Sequence, residues 1–184
     1  MTLPQFFEKH PKLALAFSGG VDSAYLLYAA VGCGADVKAY YVKTPFQPEF
    51  EYEDAACLAR QLNVEMITLH MDILSDSTIA ENPKNRCYFC KKRIFTTILD
   101  QAKADGYCLV IDGTNASDDV AERPGMQALT ELGVRSPLRE CGLTKADIRK
   151  LSKEANHFVD HGLFLGGSGQ NDAGNGGLGS LVLL

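Results

Sequence analysis

Tryptophan is missing from these 184 residues. No apolar run approaches the ~20 residues that a membrane span requires, so no membrane partner is expected. Positive charge is also in short supply: 18 Lys and Arg face 23 Asp and Glu, a net charge of -5 with a pI near 5.3. Nucleic-acid surfaces normally carry a basic face, so a nucleic-acid partner is not expected either. The segment Met1 to His10 carries Glu8 and Lys9 but no apolar signal-peptide core, which points to a cytoplasmic protein. A reducing cytosol makes a disulfide framework unlikely for six cysteines. Cys33, Cys57, Cys108 and Cys141 are scattered and read as small buried thiols. Cys87 and Cys90 stand apart as a pair.

The length suits one domain with a full core. Strand and helix patterns alternate along it. Leu13 to Phe17 is an apolar run closed by a glycine turn, which suits a strand buried on both faces. Helical spacing follows from Ser23 to Val31, then a strand from Asp36 to Val42 and a helix from Pro48 to Asn63. A third strand is expected over Val64–His70, a long helix over Cys87–Ala104 and a fourth strand over Cys108–Asp112. A short helix over Gly125–Leu132, a strand near Ser136–Arg139 and a helix over Thr144–Ala155, capped by Thr144 with Asp147, complete the pattern. Such an order implies an α/β fold with a doubly wound parallel sheet, whose ligands bind beyond the carboxyl ends of the strands. The polar loops Ser18–Ser23 and Gly113–Asn115 both fall there. From 156 to 184 the chain holds eight glycines after His157, few charges and no apolar period, and reads as a disordered or non-native tail behind a domain of residues 1–155.

Ser18-Gly19-Gly20-Val21-Asp22-Ser23 carries the chemistry. Two adjacent glycines after a buried strand let the backbone turn its amides toward one point, and the following helix adds its positive end. Ser18 and Ser23 bring hydroxyl donors. Asp22 would repel a bare phosphate, so its carboxylate makes sense with Mg2+ bridging it to a nucleotide. The Gly-Lys-Ser/Thr ending of a Walker A loop is absent.

This loop, between a strand and a helix, resembles the pyrophosphate loop of the N-type ATP pyrophosphatases. The resemblance implies an adenine-nucleotide-alpha-hydrolase type of Rossmann-like sheet, and an enzyme that splits ATP into AMP and pyrophosphate. Ser18, Gly19, Gly20, Asp22 and Ser23 would then hold pyrophosphate and Mg2+. Within that group, Cys87-Tyr88-Phe89-Cys90-Lys91-Lys92, Asp112 to Asp118, Arg123-Pro124-Gly125, Ser136 to Glu140 and Thr144 to Arg149 resemble the LarE-type sacrificial sulfur transferases over roughly residues 10–155. That family adenylates a carboxylate of a pyridinium dicarboxylate mononucleotide and converts it to a thiocarboxylate for a nickel-pincer cofactor.

Several residues gain candidate roles from this. Asn115 would contact ATP or lock its loop. Lys91 and Lys92, with Arg93, would hold a phosphate or carboxylate, or form a solvated helix face. Arg123 would clamp a phosphate or lie on a loop surface. Asp118 and Asp119 would meet Mg2+ or ribose, or supply loop polarity. Cys87 and Cys90, at i and i+3 near a helix start, are half of a metal or [4Fe-4S] site, a redox pair or inert thiols. Family members that hold a cluster use a third, later cysteine, and others sacrifice a single later one; here none follows Ala155, and Cys141 is a poor substitute. The catalytic cysteine is therefore unidentified, and the chain reads as a truncated or frame-shifted family member. A tRNA-thiolating ATPase of the same group and a catalytically dead ATP-binding remnant are the competing readings; a homo-oligomer is compatible with all three.

Overall fold

The computed structural model describes residues 1–45, 47–71, 86–118 and 124–158. The first element is one that the polar look of the N-terminus conceals. Helix α1 (Leu3–Lys9) opens with a capping box between Thr2 and Gln5 and a proline in its first turn, and it buries Leu3, Phe6 and Phe7. Strand β1 (Lys12–Ala16), helix α2 (Val21–Gly32), strand β2 (Asp36–Lys43), helix α3 (Glu49–Gln61) and strand β3 (Met66–His70) follow. The second half holds α4 (Arg86–Ala104), β4 (Val110–Ile111), α5 (Pro124–Glu131), α6 (Pro137–Glu140) and α7 (Lys145–Phe158).

The four strands lie in the order β3-β2-β1-β4, all parallel. In register, Leu15 of β1 sits opposite Ala39 of β2 and Ile111 of β4. Alternate side chains of β1 and its extension face opposite ways. Leu13, Leu15 and Phe17 join Tyr41 in a core with residues of α1, α2, α3, α6 and α7. Ala14 and Ala16 join Tyr40 and Val42 in a second core with Ile94, Phe95 and Ile98 of α4 and with Met126 and Leu129 of α5. Small alanines on the second face leave room for the bulky residues of α4, so the two helix layers close on one sheet. This is the doubly wound parallel sheet expected from the alternating pattern.

The chain moves outward from β1 through β2 to β3 and then crosses back to place β4 on the other side of β1. The two loops that leave β1 and β4 therefore diverge at a topological switch point.

Some expectations shift. The strand anticipated near Ser136–Arg139 is a single bridge between Ile111 and Arg135, followed by the short helix α6. Pro137 explains this, since its fixed φ and missing N–H suit the first turn of a helix and not a central strand. The fourth strand is shorter than Cys108–Asp112, although the Leu109 carbonyl still accepts from Ala14 N at 2.8 Å. The last helix has its expected cap, with Thr144 N donating to Asp147 at 2.9 Å and Asp147 N donating to Thr144 Oγ1 at 3.2 Å. It continues to Phe158. Cys33, Cys57 and Cys108 are exposed and Cys141 is half-buried, against the expectation of buried thiols. Each lies near apolar residues in sequence but at a helix end, on an outer helix face or ahead of a strand, where neighbours in sequence do not cover it. Most of the tail, residues 159–184, lies outside the described residues. Among the described residues no helix is long and apolar enough to cross a membrane.

Helix α1 gives a direct check of the core. Phe6→Ala should destabilise the fold by about 3–5 kcal/mol, because a fully buried aromatic ring is lost from a core shared by five helices. Urea unfolding of the variant measures it; a cost no larger than that of a surface substitution would place α1 outside the cooperative unit.

Candidate active site

The glycine turn after β1 is built as its residue types demand. Gly19 has φ +77, a left-handed conformation that L side chains rarely adopt, and a Cβ there would lie 3.0 Å from Ala55 Cβ of α3. Gly20 caps α2, and its carbonyl accepts from Ala24 N at 2.9 Å and from Ser23 Oγ at 3.0 Å. Ser18 Oγ lies 2.9 Å from Ser23 Oγ and accepts from Gly20 N at 3.3 Å. The two hydroxyls thus close a small ring of hydrogen bonds over the start of α2, where helix amides and dipole favour an anion.

The loop after β4 comes to the same place. A Cβ on Gly113 would stand 2.9 Å from Ser23 N and 3.1 Å from Ser23 Cα, so the two backbones touch only because this residue lacks a side chain. Asn115, buried, donates from Nδ2 to Asp22 Oδ2 at 3.1 Å. Its own orientation is fixed twice: Asn115 N donates to Asp118 Oδ2 at 3.0 Å, and Ser117 N donates to Asn115 Oδ1 at 2.8 Å. Sequence separation is 93 positions; spatial separation is one hydrogen bond.

Burial raises the pKa of Asp22 above the usual carboxylate range, and Asp118 adds to the effect. The Asn115 hydrogen bond opposes it, as do the charges of Lys145 and Arg149. Those two cations stand four residues apart in α7, one helical turn, and so share a face turned to Asp22. Lys145 N also donates to Ser117 Oγ at 3.1 Å, tying α7 to the Asn115 loop. Residue patterns had placed Lys145 and Arg149 only within a longer motif; the sign that would have found them is their helical spacing directly after a capped helix start.

Behind the loop sits Asp112, only 2 % exposed. Thr114 N donates to Asp112 Oδ1 at 3.3 Å and Ser136 Oγ donates to it at 2.6 Å. Burial pushes this carboxyl's pKa up, while Ser136, Thr114 and the charge of Lys91 hold it down.

The remaining candidates divide. The stem of Lys91 packs on Gly125, and its charge acts on Asp112. Lys92 instead donates to Tyr88 at 2.9 Å and to Glu131 at 3.2 Å, on the surface between α4 and α5. Arg123 and Asp119 lie outside the described residues. Cys87 and Cys90 are half-buried in the first turns of α4, Cys90 against the second core. Among the described residues no group of three or more His, Cys, Asp or Glu side chains gathers as a metal site. Two thiolates are half the ligands of a [4Fe-4S] cluster, so the described residues do not by themselves fit one. Mg2+ is a better match to Asp22 and Asp118, since hard carboxylate oxygens beside a phosphate seat are the donors it takes.

Comparison with known proteins gives this arrangement its kinship. A pyridinium-3,5-bisthiocarboxylic acid mononucleotide synthase of Lactiplantibacillus plantarum is 34% identical over 145 residues, covering 78% of this chain and 52% of the relative. The chain is a homologue of the LarE-type sulfur transferases. An uncharacterized protein of Synechocystis sp. is 38% identical over 154 residues, covering 82% of this chain and 57% of the relative. This LarE homologue therefore spans about half the length of the curated relatives it matches. No family model matches it. Its fold is that of the NH3-dependent NAD synthetase of Campylobacter jejuni, with a TM-score of 0.67 at 21% identity over 84% of this chain and 70% of that one. That likeness fixes the adenine-nucleotide-alpha-hydrolase type of sheet.

Contact between the two loops of the LarE homologue is testable through Gly113. Gly113→Ala forces a methyl group against the backbone of Ser23 and should cost about 1–3 kcal/mol. It should also speed amide exchange at Ala24, whose hydrogen bond to Gly20 closes the first turn of α2. Unaltered exchange and stability would mean that the loops can part without consequence.

Proposed function

We propose that this LarE homologue binds ATP with Mg2+ at the Ser18–Ser23 loop and adenylates a carboxylate of a small pyridinium mononucleotide, the first half of an ATP-dependent sulfur transfer in cofactor synthesis. The observation that carries this reading is Asp22 itself. It is a half-buried carboxylate at an anion seat, hydrogen-bonded by Asn115 and flanked by Lys145 and Arg149. A carboxylate is a poor ligand for phosphate alone, but with a divalent ion between them it is a good one. Bound there, Mg2+ would supply charge neutralisation for the departing pyrophosphate.

In the adenylation step a substrate carboxylate oxygen forms a bond to the α-phosphorus of ATP. The bond from that phosphorus to the α,β-bridging oxygen breaks, and pyrophosphate leaves with the electron pair. Charge accumulates on the leaving group, so donors aimed at it before reaction are the effective ones. Ser18, Ser23 and the first amides of α2 are such donors, and Lys145 and Arg149 offer countercharge from α7. Asn115 keeps Asp22 in place. Lys91, Lys92 and Arg123 are proposed to meet the anionic groups of the mononucleotide, Lys92 by giving up Glu131. Thiocarboxylate formation, in which a sulfur nucleophile displaces AMP, is proposed from kinship with the LarE type. The pair Cys87 and Cys90 is proposed as a site of sulfur or metal chemistry only in company with further ligands. Cytoplasmic location and self-association belong to the same proposal.

Exchange of labelled pyrophosphate into ATP, with the pyridinium dicarboxylate mononucleotide present, tests the adenylation. Exchange should depend on that carboxylate and fall on the order of 100-fold in Asp22→Asn, equivalent to ~3 kcal/mol of lost stabilisation. Exchange that ignores the mononucleotide, or survives intact in the variant, would defeat the proposal. Saturable, salt-sensitive binding of tRNA in place of the mononucleotide would transfer the chain to the tRNA-thiolating branch.

A further inference from the structure

Glu131, the last residue of α5, is exposed, yet both of its carboxylate oxygens are taken. Tyr88 Oη donates to Oε2 at 2.5 Å, and Lys92 Nζ donates to the same oxygen at 3.2 Å. Gln127 Nε2 donates to Oε1 at 2.9 Å. Lys92 also donates to Tyr88 Oη at 2.9 Å, which polarises the phenol and strengthens it as a donor. Tyr88 and Lys92 stand one helical turn apart on α4. The Tyr88 ring is braced edge-on by Phe89 at 5.2 Å, and Phe89 packs on the second core. A hydroxyl, an ammonium and an amide thus converge on one carboxylate, and these bonds hold its pKa below the usual range.

The occupant of this cradle is weakly retained. The side chains of Lys92 and Glu131 are 45% and 38% exposed, and an exposed pair gains little over its separate hydration. A carboxylate arriving from solution therefore competes with Glu131 on near-equal terms.

The far end of α4 fixes where the cradle stands. Asp105, directly after α4, accepts from Tyr40 Oη at 2.8 Å and lies 3.9 Å from Lys38. Tyr107 donates to Asp36, the first residue of β2, at 2.9 Å. The C-terminal end of α4 is thereby held at the amino ends of the strands. Its 19 residues span about 28 Å, and the 8 residues of β2 about 26 Å. Since α4 packs along the sheet from Phe89 to Ala102, its first turns reach the opposite rim, where the Ser18–Ser23 loop lies.

We propose that Tyr88 and Lys92 form the recognition site for the mononucleotide carboxylate that is not being adenylated, and that Glu131 is an internal occupant which this carboxylate displaces. The reaction proposed above uses one carboxylate as nucleophile at the α-phosphorus. The second needs donors of its own, and the pair on α4 supplies two that already converge. Glu131 also sets a threshold, because a neutral amide in that position does not compete with an anion for the ammonium. The identity of the ligand rests on the adenylation reading; the displacement of Glu131 does not depend on ATP.

Two measurements on the whole chain test this. Calorimetry without nucleotide gives the affinity for the pyridinium dicarboxylate mononucleotide and for its analogue with one carboxamide. Pyrophosphate exchange gives the half-saturating mononucleotide concentration with ATP present. Glu131→Gln keeps the size of the occupant and removes its charge, so affinity for the dicarboxylate should rise about fivefold. Glu131→Ala should act in the same direction should Glu131→Gln fail to fold. Lys92→Met should weaken binding about tenfold and abolish the preference for dicarboxylate over monoamide, and Tyr88→Phe should weaken it about fivefold. A clasp that merely joins α4 to α5 would give no such opposition of sign between Glu131 and Lys92. Affinity unchanged or lowered in the Glu131 variants by both measurements, or no binding in any chain, would overturn the proposal. Tighter binding to Glu131→Gln in a chain that exchanges no pyrophosphate would leave the carboxylate site standing and remove the adenylation reading. Normal mononucleotide-dependent exchange that Glu131→Gln leaves unmoved would do the reverse.

Discussion

The hydrogen bond from Asn115 Nδ2 to Asp22 Oδ2 joins two loops that the chain reaches 93 residues apart, and the candidate site depends on it. Asp22 sits at the first turn of α2, where the helix dipole already favours negative charge. Burial works the other way and favours its neutral form. A single amide donor, oriented by Asp118 and Ser117, opposes burial in favour of the carboxylate, although burial remains the larger effect. Remove that donor, and a metal-ready oxygen becomes a half-buried acid with less reason to ionise. The parallel sheet exists, from the site's standpoint, to bring these two loops together at the point where strand order reverses.

Much of this was legible in residue order because the parts are local. A buried strand ending in adjacent glycines, then Asp and Ser opening a helix, is a pattern spanning a dozen positions, and each residue type has its own conformational reason. The cap of α7 was legible for the same cause, since Thr144 and Asp147 satisfy each other within one turn. Helix α1 was not, although Thr2 and Gln5 form an equally local cap. Leu3, Phe6 and Phe7 do stand at helical spacing, but only once in a seven-residue helix, and all three are buried by partners distant in sequence. The strand expected near Ser136–Arg139 overlooked Pro137, which carried the true signal of a helix start.

Contacts between distant segments were the part that residue order could not disclose. Gly113 looks like a turn glycine in sequence, but what it provides is contact with Ser23. Gly125 looks like the end of a loop motif, and it is the floor beneath Lys91. The lysines Lys91 and Lys92 are adjacent and seem interchangeable in sequence. Helical geometry separates them by about 100° around α4, so one lies over Gly125 and the other reaches Glu131. Cys33, Cys57 and Cys108 show the same limit from the opposite side, with apolar neighbours in the chain and yet exposed in the fold.

On the proposed reading, an acidic chain takes a polyanionic nucleotide by placing charge locally, since its net charge is -5. Long-range attraction is unavailable, and at physiological ionic strength fields die away within about 8 Å in any case. What matters is the local arrangement, and here the cations are not spread evenly. The charges of Lys145 and Arg149 act on Asp22, and the charge of Lys91 acts on Asp112. Each acts on a carboxyl whose pKa burial raises, and opposes that rise. On the same reading, a phosphate entering this rim meets cations carried on a helix beside it, so local placement and not net charge governs its binding.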